Sequence, residues 1–334
     1  MNVKIKDVAR LAGVSISTVS NVLNESKYVS PAKQQAVLNA VKELGYVPNM
    51  NARLLKARHT GNIGLFLPYI DGPFYPRLMH EVYHACSTHG YAVFTHVAQE
   101  SNSQKTAATI LSCNIDAAII LNDHLLDQEI TTLVSRNLPM VFMDRQIFQN
   151  GISCILLDND QAVAQQVSYL KNTGHKRIAY MRGVHNYDGD IRLQSFCKYM
   201  KEHSLPLDES LIMEGQFSEK VAYNCLYYLL RTQRAALPDA ILCANDDMAI
   251  GCIKALTDLS YQVPKDVSVL GFDNLIADSC TPPLTTVGYS LHTFARKAVD
   301  EAVRLIQNPQ DASRMMTLET EMIVRQSVAF RKSV

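Results

Sequence analysis

At 334 residues the chain exceeds what a single hydrophobic core usually supports, so two or three folded units are expected. No run approaches the ~18 apolar residues of a membrane span. Met1 to Ala12 mixes charges without an apolar stretch, so a soluble, cytoplasmic protein with neither a secretory leader nor a membrane partner is expected. The 32 basic and 32 acidic residues cancel overall, yet the first 60 residues hold nine basic against three acidic side chains. A basic head on an acidic body fits a polyanion-binding module joined to something that does not touch the polyanion. Eight cysteines lie far apart with no C-x-x-C pair, several in apolar runs such as Ala240 to Cys243, which points to reduced thiols rather than disulfides or a metal cluster.

The head opens with a helix-turn-helix pattern from Ile5 to Asn24. Gly13 stands where the tight turn between the helices needs a residue tolerant of positive φ. Val8, Ala12, Val19, Val22 and Leu23 can close a small core. Ser15, Ile16, Ser17, Thr18 and Asn21 are then left outside, near the start of the second helix, where such motifs put side chains into the major groove. A third helix is marked by Ser30 as N-cap, Pro31 at its first position, apolar Val37, Leu38, Val41 and Leu44, and Gly45 as its stop. Beyond Tyr46-Val47-Pro48, Asn49 can cap a short basic segment through Ala52 to Arg58. Helix nucleation is costly below ~12 residues, so this segment should fold only when something holds it.

From Asn62 onward apolar strand-like runs alternate with amphipathic stretches: Ile63 to Leu67, Tyr91 to Val97, Ala117 to Leu121, Met140 to Met143, Ile155 to Leu157, Arg177 to Met181, Ala240 to Cys243 and Val267 to Gly271. This alternation predicts an α/β core of two doubly wound parallel-sheet subdomains, with a ligand cleft between them beyond the carboxyl ends of the strands.

Several marks taken in order resemble the lactose-repressor (LacI/GalR) family of bacterial transcription regulators across essentially the whole chain. They are Ile5-Lys6-Asp7-Val8-Ala9, Gly13-Val14-Ser15, Thr18-Val19-Ser20, Leu44-Gly45-Tyr46-Val47-Pro48-Asn49, Ala52-Arg53-Leu54-Leu55, Asp158-Asn159, Gly174-His175-Lys176-Arg177-Ile178-Ala179, Asn245 to Gly251, Pro264 to Asn274, and Pro283-Leu284-Thr285-Thr286-Val287. The resemblance implies a helix-turn-helix domain over residues 1–48, a hinge over 49–60 and an effector-binding and dimerisation core over 61–334. That core would comprise an N-subdomain of about 61–160 plus 290–319 and a C-subdomain of about 161–289 plus 320–332, its architecture like that of periplasmic binding proteins.

The family further implies a homodimer on a palindromic operator in double-stranded DNA, without cofactor or metal. Ile16, Ser17 and Asn21 would read bases, while Ser15, Thr18, Ser20, Asn24 and Ser30 would hold phosphates, with Lys6 and Tyr28 also in the interface. In the hinge, Asn49, Ala52, Arg53, Leu55 and Lys56 would enter the minor groove, Leu55 as a wedge between base pairs. In the core, Phe74, Tyr75, Arg145, Asp158, Arg192, Phe217, Asn245 and Asp273 would contact a small effector. Aromatic faces with converging Arg, Asp and Asn suit a sugar or sugar phosphate, and a purine fits too. Asp273 and Arg192 are expected as a charged pair. The family usually caps the first helix with Ser or Thr where this chain has Lys4, so that cap must come from elsewhere. The implied function is a ligand-controlled repressor of carbohydrate-use genes, not an enzyme.

Two other readings compete. His80-Glu81-Val82-Tyr83-His84 matches the H-E-x-x-H pattern of zinc hydrolases, with Glu100 as a possible third ligand. The core alone resembles free-standing periplasmic solute binders, a reading opposed by the attached head.

Overall fold

The computed structural model describes residues 3–24, 27–46, 59–97, 102–121, 125–143, 145–231, 237–309 and 311–331. The chain divides into two compact units, Met1–Thr60 and Gly61–Val334. Among the described residues no helix is long and apolar enough to cross a membrane.

The head holds helices α1 (Ile5–Leu11), α2 (Ile16–Asn24) and α3 (Pro31–Leu44). Its core is Val8, Ala9, Val19, Val22, Val37 and Ala40, with Ala12, Leu23, Val41 and Leu44 half-buried around it. Leu38 does not join them: it is 45 % exposed, because the buried stripe of α3 runs 37, 40, 41, 44 and position 38 lies a hundred-degree step off it. Gly13 has φ +64° with nothing within 4 Å of where a Cβ would stand, so it is the backbone conformation, not space, that calls for glycine. Asp7 supplies the missing cap: its carboxylate accepts from the Lys4 N–H at 3.0 Å, reaching back from the first turn as in a capping box.

In the larger unit β1 (Asn62–Leu67), β2 (Ala92–Val97), β3 (Ala117–Ile120), β4 (Met140–Phe142), β5 (Ile152–Leu157) and β11 (Arg314–Leu318) form one parallel sheet in the order β11-β5-β4-β3-β1-β2. Helices α4 (Phe74–Thr88), α5 (Ser103–Ser112), α6 (Asp127–Ser135) and α11 (Leu291–Gln307) cover its faces. A second parallel sheet, β7-β6-β8-β9, is built from β6 (Ile178–Arg182), β7 (Ile212–Glu214), β8 (Ala240–Cys243) and β9 (Ser268–Leu270). Helices α7 (Asn159–Asn172), α8 (Tyr187–Glu202), α9 (Glu219–Arg231) and α10 (Asp246–Asp258) pack against it. Strands β10 (Thr286–Gly288) and β12 (Glu321–Ile323) pair antiparallel beside the crossings between the two lobes.

The chain passes from one sheet to the other after β5, returns after β10, and leaves again after β11. Neither lobe is therefore continuous in sequence. Phe272 is fully buried within the first lobe's core while the Arg192 guanidinium of the second lobe stacks over its ring at 3.6 Å. The crossing is thus packed, not merely tethered. The short strands β7, β10, β11 and β12 carry no clear apolar run; β11, Arg-Met-Met-Thr-Leu, is a strand because it pairs with Ser153–Leu157.

Candidate functional site

A cavity of about 290 Å³ lies beyond the carboxyl ends of both sheets. Pro68, Leu121 and Met143, which follow β1, β3 and β4, line it from the first lobe; Val184, Phe217, Asn245 and Asp273, which follow β6, β7, β8 and β9, line it from the second. Both sheets reverse strand order here, between β1 and β3 and between β6 and β8, and open α/β sheets bind ligands at that kind of crevice.

Of the eight core residues expected to meet an effector, Phe74, Tyr75, Arg192, Phe217, Asn245 and Asp273 line this cavity. Phe74 and Tyr75 open α4, their rings edge-to-face at 5.1 Å. Phe217 is held at φ +54° with its ring against Gly183, where a Cβ would come within 2.1 Å of it. Asn245 caps α10 by accepting from the Met248 N–H at 2.9 Å. Its amide donates to the Phe217 carbonyl at 3.4 Å.

Arg145 and Asp158 are not among the lining residues, contrary to expectation. The Arg145 guanidinium donates to the Leu125 carbonyl at 2.5 Å and lies over Phe142. Asp158 is turned into its own helix, accepting from the Gln161 N–H at 3.1 Å as the N-cap of α7. The expected charged pair also differs. Arg192 is buried, donating through Nε to Asn159 Oδ1 at 2.7 Å and through Nη1 to the Ala244 carbonyl at 2.6 Å. Asp273 instead accepts from the Tyr289 hydroxyl at 3.3 Å. Burial pushes the Asp273 carboxyl up to about 8, against the pull of Arg192.

Asp71, Asp188, Asp247, Asn186, Tyr69 and Tyr289 also line the cavity and were missed in the sequence. Asp188 had a readable signal: it stands four residues ahead of Arg192 on α8, hence on the same face. Asn159 bridges the two, donating to Asp188 Oδ1 at 2.7 Å while accepting from Arg192. Next to Asp247, the Asp246 carboxyl is raised by burial to about 7 and accepts from the Thr286 hydroxyl at 2.6 Å.

In the head, Lys6, Ser15, Ile16, Ser17, Tyr28 and Ser30 are exposed, Ile16 by 51 % and Tyr28 by 89 %. Thr18, Ser20 and Asn21 are half-buried on α2. Ser15 Oγ accepts from the Thr18 N–H at 3.1 Å and meets the hydroxyls of Ser17 and Thr18 at 2.7 and 2.8 Å, so Ser15 caps α2. Ser30 precedes α3 without a side-chain cap bond. Asn24 is the last residue of α2, and Asn49, Ala52, Arg53, Leu55 and Lys56 lie outside the described residues.

His80 and His84 are exposed on α4 with ring centroids 4.3 Å apart. Glu81 is paired with His292 at 2.8 Å instead of facing them. Glu100 lies outside the described residues, and among those described no group of three side chains is arranged to hold a metal.

A helix-turn-helix head carried by a two-lobed α/β core with a ligand-sized cavity between its lobes defines a DNA-binding regulator governed by a small molecule. The sequence profile described as "Bacterial regulatory proteins, lacI family" matches residues 4–49, and that of a "Periplasmic binding protein-like domain" matches residues 167–328. The chain is 32 % identical to the HTH-type transcriptional repressor PurR of Histophilus somni (strain 2336), over 97 % of this chain and 98 % of that one. It is 31 % identical to PurR of Haemophilus influenzae (strain ATCC 51907 / DSM 11121 / KW20 / Rd), with the same coverage. Among solved structures, a complex of the transcriptional regulator CelR with cellobiose aligns at TM-score 0.74 and 29 % identity, over 97 % of this chain and 99 % of that chain. The lac repressor dimer bound to operator and the anti-inducer ONPF aligns at TM-score 0.83 and 24 % identity, over 98 % and 100 %, a likeness of fold.

The protein belongs to the LacI family of bacterial regulatory proteins and is a DNA-binding transcriptional repressor, not an enzyme. The zinc-hydrolase and free-standing solute-binder readings fall with that assignment.

Proposed function

We propose that this repressor controls carbohydrate-use genes in the cytoplasm, binding a near-palindromic operator as a homodimer and responding to a sugar or sugar phosphate held between the lobes of its core. The observation that carries the reading is the cavity itself: Phe74 and Tyr75 on one lobe face Arg192, Phe217, Asn245 and Asp273 on the other, apolar ring faces opposite a few convergent polar groups. The cellobiose held by CelR supports a sugar. A purine is the second reading, favoured by the aromatic lining that Phe74 and Tyr75 supply from one lobe and Phe217 from the other.

Ile16, Ser17 and Asn21 read the operator, Lys6, Ser15, Thr18, Ser20, Asn24, Tyr28 and Ser30 hold its backbone, and Asn49, Ala52, Arg53, Leu55 and Lys56 form the hinge contact. Effector binding alters the lobes' mutual angle, and hence the spacing of the two hinges, with a coupling of ~1–3 kcal/mol. A thermal-unfolding screen over sugars, sugar phosphates and purines tests the reading. An effector at about 100 times its Kd adds ~2.7 kcal/mol. The same compound must change operator affinity, and a screen with no such compound would remove the proposal.

A further inference from the structure

The charge of the cavity is lopsided. Asp71, Asp188, Asp247 and Asp273 line it, and Arg192 is the one cationic side chain among the described lining residues. That guanidinium already donates through two of its nitrogens, to Asn159 and to the Ala244 carbonyl, and stacks on Phe272. It resembles a structural strut more than a free anion receptor.

Helix N-termini, the other usual means of holding a phosphate, are pre-empted too. The cap residues of α8 and α10, Asn186 and Asn245, both line the cavity. Each folds its own side-chain oxygen onto its helix, accepting from the Gly189 N–H at 2.9 Å and the Met248 N–H at 2.9 Å. Both first turns then carry carboxylates, Asp188 and Asp190 on α8, Asp246 and Asp247 on α10. At both of these helix starts an acidic side chain already supplies the negative charge that the backbone dipole favours. Helix α4 carries no acidic residue in its first turn; Asp71, three residues ahead of it, lines the cavity.

We infer that the cavity takes an uncharged or cationic effector rich in hydroxyl or amine donors, and rejects phosphorylated and carboxylated ones. This rests on the effector reading above and narrows it: of sugar and sugar phosphate, the free sugar is selected. Carboxyl groups from both lobes offer hydrogen-bond partners to a polyol from several directions, whereas a phosphate dianion would meet more acidic than basic side chains in a half-enclosed space of lowered dielectric.

The test uses the full chain and a small-molecule extract of bacterial cells, split on a strong anion exchanger at neutral pH. The flow-through holds neutral and cationic metabolites and the eluate holds phosphates and carboxylates, and both are brought to the same salt concentration. The flow-through is expected to raise the unfolding temperature by about 2–4 °C or more, and the eluate to leave it unchanged. A neutral compound found this way should bind at least about tenfold more tightly than its own phosphate ester. A shift from the eluate that is abolished by Asp273→Asn would overturn the charge rule and leave the effector site standing. If the shift from either fraction survives both Asp273→Asn and Phe217→Ala, or if neither fraction shifts the protein, the effector reading falls and the inference with it.

Discussion

Asp273 sits where the cavity's chemistry is most exposed to solution conditions. Burial holds its carboxyl at about 8, so near neutral pH most of it keeps its proton. Donor groups of a ligand favour the ionised form. Effector binding should therefore release up to one proton, and affinity should climb as pH rises toward about 8 and level beyond it. Calorimetry in two buffers of different ionisation enthalpy measures the proton count, and Asp273→Asn should abolish it; affinity that falls with rising pH would contradict the assignment. Phe217 offers a second handle, through the glycine beneath it. Gly183→Ala places a methyl about 2.1 Å from the ring, and relief requires the ring to move at a cost of ~1–3 kcal/mol. The variant should still bind operator but lose most of its ligand-induced rise in unfolding temperature.

At the start of α2, two neighbouring residues are expected to do separate jobs. Ser15 satisfies the Thr18 N–H, so Ser15→Ala should destabilise the head by about 1 kcal/mol, visible as an earlier melting of its helical signal. Ile16 is 51 % exposed and outside the head's core. Ile16→Ala should leave melting unchanged and reduce preference for operator over nonspecific duplex by ~1–3 kcal/mol, read from binding titrations at fixed salt. Equal losses on both DNAs would show that Ile16 touches no base. In the larger unit the elements are joined by similar economy of side chains: Asn245, which lines the cavity, caps α10 with its amide oxygen and ties the Phe217 carbonyl with its amide nitrogen, so one side chain sets the helix and the loop opposite it.

Across the whole molecule, the buried carboxyls impose a pH dependence of definite sign. Asp246 is held at about 7 by burial against an ordinary 3.8, near the strand that carries the chain back between lobes. A carboxyl whose folded value is raised adds stability that is complete below its unfolded value and lost as pH rises through the folded one. Stability should therefore fall between about pH 4 and pH 7, by roughly 4 kcal/mol for this group alone, and then flatten; Asp273 pushes the same way to slightly higher pH. Carboxylates held low, such as Asp239 beneath the Lys176 and Arg177 N–H groups, act in the opposite sense below that window. Asp246→Asn resembles the protonated form. Urea unfolding at several pH values should show its slope flattened from pH 5 to 8, and a variant as pH-sensitive as the parent would place the origin elsewhere.

Whatever depends on neighbours along the chain was legible in the sequence. The helices of the head and the Gly13 and Gly45 turns that end two of them, the strand–helix alternation of the core, and Arg192, Phe217, Asn245 and Asp273 as cavity residues all came from local pattern or from matching motifs, although Ser30 makes no side-chain cap bond. Folding in space decided the rest. Arg145 is drawn away by a carbonyl remote in sequence, while Asp158 is held as a helix cap, a role its spacing to Gln161 already signalled. Asp71, Asp188 and Asp247, remote in sequence, converge because both sheets end at one crevice. The short strands beside the crossings exist only through their partners. A backbone period is written into nearest neighbours. A cavity's charge is a sum over loops from two discontinuous lobes, and that sum is taken only once the chain has crossed between them.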